Sequence, residues 1–256
     1  MIEDSWMFRV SMSIIRSALA VFEKPLVCFS GGKDSTLMVY MVSKALEEVE
    51  KEGVTFLIGD PFPIKGNVEF CLKTLDRLGL GKDVYPRVLY KDYVGDECMR
   101  SYVEKSGNMI ACCYWCKIKV LQRVVKRLGV DAVLVAVRWD EHPARSEDDY
   151  FRRIYRPEHF RVEPILHWRW DDVLKFYREH PDLLNPLYLQ GYTSLGCKPC
   201  TAPTLKRAFR NADEYLDYLQ EKMRKGEVRE RAGRRQDKER GMERLRALGY
   251  LSLIHI

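Results

Sequence analysis

Five short stretches rich in apolar and β-branched residues, 26–29, 55–58, 84–89, 130–137 and 161–165, punctuate the chain and read as strands. Between them apolar residues return at helical spacing over 5–22, 35–51, 68–78, 116–128 and 169–179. Gly53, Gly79 and Gly129 stand just past three of these segments, where helices commonly stop. Strands alternating with helices argue for βαβ units. The predicted class is therefore α/β: a Rossmann-like, three-layer α/β/α fold with a mostly parallel, doubly wound sheet. Val133, Leu134 and Val135 have the composition of a buried central strand.

After Cys200 the character changes to Ala, Leu, Arg, Glu and Lys with little β-branching, which predicts two or three exposed helices. The expected organisation is one main domain over 1–205 and a basic helical tail over 206–250. The last residues, 251–256 (Leu-Ser-Leu-Ile-His-Ile), read as a translated sequencing adapter and not a native end. From Lys206 to Tyr250 there are 14 Lys and Arg against 9 Asp and Glu, so 14 − 9 = +5 of the net charge of +6 sits in the tail. Such a run is either the solvated face of a helix or a surface that draws in acidic partners or nucleic acid. Met1 to Val10 holds Glu3 and Asp4 and no apolar core of signal length, and the longest apolar run is broken by Asp131. A cytoplasmic enzyme with no membrane association is expected. Eight cysteines in such a chain are reduced thiols or metal ligands rather than disulfides.

The first strand runs into Ser30-Gly31-Gly32-Lys33-Asp34-Ser35 and then a helix. Two glycines let backbone N–H groups approach phosphate oxygens, the helix N-terminus adds unpaired donors, and Lys33 adds a point charge. No G-x-x-x-x-G-K-[ST] occurs, which disfavours kinase-like or GTPase-like γ-phosphate chemistry. The motif SGGxDS resembles the signature of the PP-loop (adenine nucleotide α-hydrolase) superfamily, and within it the phosphoadenosine phosphosulfate (PAPS) reductase family. The resemblance implies a loop that holds phosphates while chemistry occurs at the α-phosphate, and an acidic residue near the nucleotide or its Mg²⁺. Asp60, just after the second strand, is the candidate; a cap before Pro61 is the alternative.

Arg138-Trp-Asp140-Glu141-His-Pro-Ala-Arg145 follows the central strand, placing two arginines and two acids where α/β sheets bind ligands. Arg138 and Arg145 suit oxyanion clamping because a planar guanidinium donates parallel hydrogen bonds. Asp140 and Glu141 join the nucleotide-binding set. This R-x-D-E-x-x-x-R spacing resembles the small subunit of bacterial ATP sulfurylase, as does Glu230-Arg-Ala-Gly-Arg234, whereas sulfonucleotide reductases usually carry Gln after the Asp. Cys197-Lys-Pro-Cys200 and its surroundings instead resemble the iron–sulfur segment of assimilatory adenylylsulfate reductases.

Cys112, Cys113 and Cys116 lie upstream of Cys197 and Cys200, and four of these five suit either a four-iron four-sulfur cluster or tetrahedral zinc. The reductase resemblance favours iron and sulfur and makes Cys112 and Cys113 both ligands. Cys28, Cys71 and Cys98 show no partner pattern and are expected to be packing residues. Reductases of this type attack sulfur with a cysteine in a C-terminal Glu-Cys-Gly motif, and no cysteine follows Cys200 in this sequence.

The leading expectation is therefore adenylyl transfer from ATP to sulfate, with Lys33, Arg138 and Arg145 neutralising charge as Mg²⁺-pyrophosphate leaves. The alternative is reduction of adenylylsulfate or phosphoadenylylsulfate with thioredoxin or another sulfur or electron donor. Further readings are a tRNA-thiolating enzyme and a non-catalytic module docking a GTPase-type large subunit.

Overall fold

The computed structural model describes residues 1–49, 51–104, 109–235, 240, 241 and 244. Alternate residues of the first strand, β1 (Pro25–Phe29), face two separate cores. Val27 and Phe29 pack among Ile15, Leu19, Leu37 and Met41, while Leu26 packs with Val124, Val125 and Val133. A strand covered on both faces reads as an uninterrupted apolar run, as this one does. The remaining strands are β2 (Thr55–Ile58), β3 (Arg87–Leu89), β4 (Ala132–Leu134), β5 (Phe151–Tyr155) and β6 (Glu158–Val162), and the sheet order is β3-β2-β1-β4-β6-β5. Every neighbouring pair is parallel except the β5–β6 hairpin.

The helices are α1 (Trp6–Val21), α2 (Lys33–Glu48), α3 (Asn67–Arg77), α4 (Asp96–Glu104), α5 (Met109–Cys113), α6 (Lys119–Leu128), α7 (Trp170–Glu179) and α8 (Ala212–Arg224). A π-helical turn, Tyr114–Ile118, joins α5 to α6. The expected three-layer, mostly parallel arrangement is present. Because β2 and β4 flank β1 on opposite sides, the chain diverges at their carboxyl ends and leaves a crevice between them.

Several elements differ from the sequence expectation for identifiable reasons. β5 is missed because only Ile154 of its five residues is buried, so an edge strand carrying Arg152 and Arg153 shows no apolar run. Its hairpin partner β6 begins at Glu158, ahead of the expected 161–165. β3 starts only at Arg87, since Pro86 has no N–H to donate to the ladder. β4 ends at Leu134, after which 135–138 bend toward the crevice, with Val135 N still donating to Val162 O (2.9 Å). α8 is not an exposed tail helix, as Tyr215, Leu216 and Leu219 are buried. Residues 225–235 of the expected helical tail are turns and irregular backbone instead, because 230–235 lie against 194–202, while 236–239, 242, 243, 245–250 and the 251–256 end lie outside the described residues. Among the described residues no helix is long and apolar enough to cross a membrane.

Candidate functional site

The loop leaving β1 is fixed from behind. Gly31 has φ +75°, a conformation that disfavours side chains, and a Cβ there would collide with Asn67 and come within 2.9 Å of Cys71 Sγ. Asn67 Nδ2 donates to Ser30 O (2.8 Å) and Asn185 Nδ2 to Gly31 O (2.9 Å) and Asn67 Oδ1 (2.8 Å), so two amides tie down the carbonyls. Tyr177 Oη donates to Lys33 O (2.7 Å), and Tyr188 Oη accepts from Lys33 N (2.9 Å). The Lys33 amide, expected to face phosphate with its neighbours, is thus already engaged. Gly32 caps α2 without a side chain, Ser35 Oγ donates to Gly32 O (2.9 Å), and the Ser30 and Ser35 hydroxyls are 3.0 Å apart.

The crevice above this loop is a cavity of about 150 Å³ whose wall includes Ser30, Gly32, Lys33, Asp34, Ser35, Asp60, Glu141 and Arg145. That volume is about half the lower limit of small-molecule pockets, room for the oxyanion end of a ligand. Charged groups in and behind its wall are joined in ion pairs. Lys33 Nζ donates to Asp34 Oδ2 (2.8 Å) and to Glu230. Arg138, fully buried, donates through Nε to Asp34 Oδ1 (2.8 Å), Nη1 to Asp140 Oδ1 (2.7 Å) and Nη2 to Glu230 Oε1 (2.6 Å). Arg145 pairs with Glu141, which also lies 3.5 Å from Arg231. Trp170 covers the pair of cations, with Lys33 Nζ 4.8 Å from its ring centre, and Trp170 N donates to Asp140 Oδ2 (2.8 Å).

Burial opposes every charge here, and the partners decide the outcome. For Lys33 the desolvation penalty is outweighed by Asp34 and Glu230, which hold the ammonium above its usual range. Burial likewise opposes the Asp34 carboxylate, yet Lys33 and Arg138 hold it well below the ordinary value, and Glu141 is lowered against burial by Arg145. For Asp140 burial wins over Arg138 and the carboxyl is raised. Burial pushes the Tyr188 hydroxyl up to about 12, so it stays a neutral hydrogen-bonding group. Asp34, Glu141 and Glu230 each offer an oxygen within 4.8 Å of the others, a hard-cation geometry among the described residues, although each is already bound to a side-chain cation.

Glu230 arrives on a strap from the far end of the chain. Residues 230–235 lie along 194–202: Thr201 and Arg234 form an antiparallel bridge, Ala202 N donates to Gly233 O (3.1 Å), and Arg235 N donates to Cys200 O (3.3 Å). Arg234 donates to Ser194 Oγ (2.9 Å), Thr201 Oγ1 (3.2 Å) and Leu195 O, and its guanidinium fills the space a side chain at Gly196 would need. Arg231 and Arg234 also line the cavity, as does Lys117. Sequence reasoning missed Lys117, Glu230, Arg231, Arg234, Tyr188, Asn67 and Asn185 as site residues. For the strap alone a local signal existed, the Glu230-Arg-Ala-Gly-Arg234 motif.

Asp60 joins the cavity to the cysteines. Buried at the end of β2, it pairs with Lys117 and lies 3.7 Å from Cys197 Sγ. Cys112, Cys197 and Cys200 pack together with Phe62, and Cys112 Sγ is 3.8 Å from Cys116 Sγ. Cys113 is buried, but among the described residues no disulfide or hydrogen bond joins it to the other cysteines. Two expectations need correction: the cysteines are not all reduced thiols or metal ligands, since Cys116 of the candidate metal set is in a disulfide, and its partner Cys98 is therefore not a packing residue. Cys28 and Cys71 do pack as expected. Burial pushes the Cys28 thiol up to about 12, and Cys71 Sγ faces Phe29 O (3.8 Å).

The model of the phosphoadenosine phosphosulfate reductase domain matches residues 24–203. The chain is similar to adenosine 5'-phosphosulfate reductase of Bacillus velezensis, 35% identical over 198 residues that cover 77% of this chain and 82% of that one. It is also similar to adenosine 5'-phosphosulfate reductase 1 of Bacillus subtilis, 25% identical over 203 residues with the same coverage. Among solved structures it resembles phosphoadenylyl-sulfate reductase from Candida auris in a phosphate complex. There the TM-score is 0.55 and the identity 17%, over 75% of this chain and 90% of that one, a likeness of fold. The U34-tRNA thiolase NcsA from Methanococcus maripaludis, described with its [4Fe-4S] cluster, shares the fold with a TM-score of 0.51 and 16% identity, over 95% of this chain and 78% of that one.

Proposed function

The chain belongs to the phosphoadenosine phosphosulfate reductase family, as an enzyme of sulfur metabolism, and from that premise we propose that it binds an adenylylated sulfonucleotide and reduces its sulfonate to sulfite. The observation that carries the reading is a crevice lined by Lys33, Lys117, Arg145, Arg231 and Arg234, with Arg138 buried behind its wall, whose Asp60 also reaches the convergent cysteines at Cys197. The leading sequence expectation, adenylyl transfer to sulfate, gains no support from relatives named as reductases, and neither does a GTPase-type partner. Adenosine 5'-phosphosulfate is the first substrate to try, since those relatives are named for it.

Lys33 meets the phosphosulfate oxygens, Arg138 holds the acidic partners of Lys33 in place from behind, Arg145 faces the ligand from the other wall, and Trp170 keeps water off the cations. A thiolate from a dithiol or thioredoxin-class protein attacks sulfur. The S–O bond to the nucleotide breaks, adenosine monophosphate leaves with that electron pair, and the sulfonate stays on the thiol. A second thiol then forms a disulfide with the first and releases sulfite, so two thiols supply the two electrons. No pyrophosphate departs in this sequence, which gives Mg²⁺ no step.

The convergence of Cys112, Cys197 and Cys200 with a further cysteine fits a soft metal or a four-iron four-sulfur cluster, zinc being the alternative. Bound there, the group would order the Cys197–Cys200 loop and tune the field at the neighbouring cavity. The test is an anaerobic assay with dithiothreitol or thioredoxin, scored for sulfite and adenosine monophosphate. Sulfite from adenosine 5'-phosphosulfate supports the proposal. Pyrophosphate released from ATP plus sulfate, with no sulfite from either sulfonucleotide, overturns it in favour of adenylyl transfer.

A further inference from the structure

One thiol in the cysteine pocket has two competing partners. Cys116 is bonded to Cys98, their Cα atoms 4.7 Å apart, and its sulfur also lies 3.8 Å from that of Cys112, which packs on Cys197 and Cys200. Cys112 and Cys116 stand four apart through the π turn and share a face. Cys113 is rotated from Cys112 by roughly 100°, one residue's turn of a helix. Among the described residues Cys113 shares no hydrogen bond, disulfide or apolar cluster with the other cysteines. Cys98 is carried by α4, a separate element, so Cys116 can be held from outside the pocket.

We propose that the soft-metal site takes its thiolates from Cys112, Cys116, Cys197 and Cys200, that Cys113 lies outside it, and that Cys98 is a redox latch that withholds Cys116 when the two are joined. The proposal rests on the soft-metal reading above. Opening the latch follows thiol–disulfide exchange: a dithiol attacks one sulfur, its second thiol resolves the mixed disulfide, and two electrons and two protons pass to Cys98 and Cys116 while the dithiol leaves as its own disulfide. Cys116 then loses its proton on meeting a metal ion, as a thiol ligand must. The site is loaded only when the surroundings can reduce this pair, which makes the latch a sensor of redox state. Intracellular disulfides commonly serve that role.

The test is an anaerobic titration of the full chain with cobalt(II) alone, read by the thiolate-to-cobalt absorption, with thiols mapped by alkylation and mass spectrometry. Air-oxidised protein should carry the Cys98–Cys116 link and show little of the band. After dithiothreitol treatment and its removal it should gain two alkylatable thiols and bind a single cobalt. Cys98→Ser should bind without prior reduction, Cys113→Ser should match the reduced parent, and Cys116→Ser should lose the band while keeping the melting temperature of the reduced parent. Retention in Cys116→Ser with loss in Cys113→Ser overturns this ligand set but leaves the soft-metal reading standing. An air-oxidised protein linked through other cysteines overturns the latch. Failure of the reduced parent to bind cobalt at all overturns the soft-metal reading itself.

Discussion

Arg138 carries more of the site than any other side chain, since it is fully buried and its guanidinium is divided among Asp34, Asp140 and Glu230. Removing it leaves carboxylates buried without a counter-charge. Arg138→Ala should cost about 3–5 kcal/mol of stability, read as a fall in denaturation midpoint, because breaking a buried pair costs more than never having built it. Arg138→Lys should recover little, as a point charge cannot replace a three-way fork. Glu230 has the opposite effect on ligands: its carboxylate occupies the Lys33 ammonium, which faces the crevice where an oxyanion would bind. Glu230→Gln should tighten adenosine 5'-phosphosulfate binding by roughly tenfold, the worth of one competing charge-assisted contact, and calorimetry would show it; weaker binding would assign Glu230 a supporting role instead. Acid should also act through these carboxyls. Asp34 and Glu141 have native values below their unfolded ones, so their contribution is present above about pH 4 and is lost as pH falls below that. A melting temperature that stays flat from about pH 5 to about pH 3 would contradict this ion network.

At the scale of elements, what holds the loop is as telling as the loop. Gly31→Ala places a methyl against Asn67 at a positive φ, and should cost about 1–3 kcal/mol, or several degrees of melting temperature in a chain of this size. The turn itself was legible, because strand, paired glycines and helix are adjacent in sequence. Its clamps were not: Asn185 and Tyr188 lie more than 150 residues from the carbonyl and amide they satisfy, and no local pattern marks them. The same reason hid Lys117, whose role depends on Asp60 at the end of another strand. β5 escaped notice for the converse reason, being an edge strand with a charged face. The cysteines were legible as a group from their spacing, but the partner of Cys116 was not, since Cys98 belongs to no motif.

Across the whole molecule the sheet brings four distant stretches to one crevice: 30–35 after β1, Asp60 after β2, 138–145 after β4, and the 230–235 strap that also lies against Cys200. The α/β class and the carboxyl-end crevice could be read from the alternation of apolar segments, because layer packing imposes that pattern. The chemistry could not be fixed in the same way, since oxyanion clamps and soft ligands serve both adenylyl transfer and sulfonate reduction; it was similarity to named reductases that shifted the balance. The central claim is that this crevice grips the phosphosulfate of a sulfonucleotide through Lys33, which Arg138 supports from behind the wall. The most direct measurement is a calorimetric titration of adenosine 5'-phosphosulfate into the parent protein and into Lys33→Ala. Binding by the parent, weakened at least about tenfold in the variant, is the predicted result, as expected for loss of one charge-assisted contact. Equal affinity in the two proteins, or none in the parent, would contradict the account.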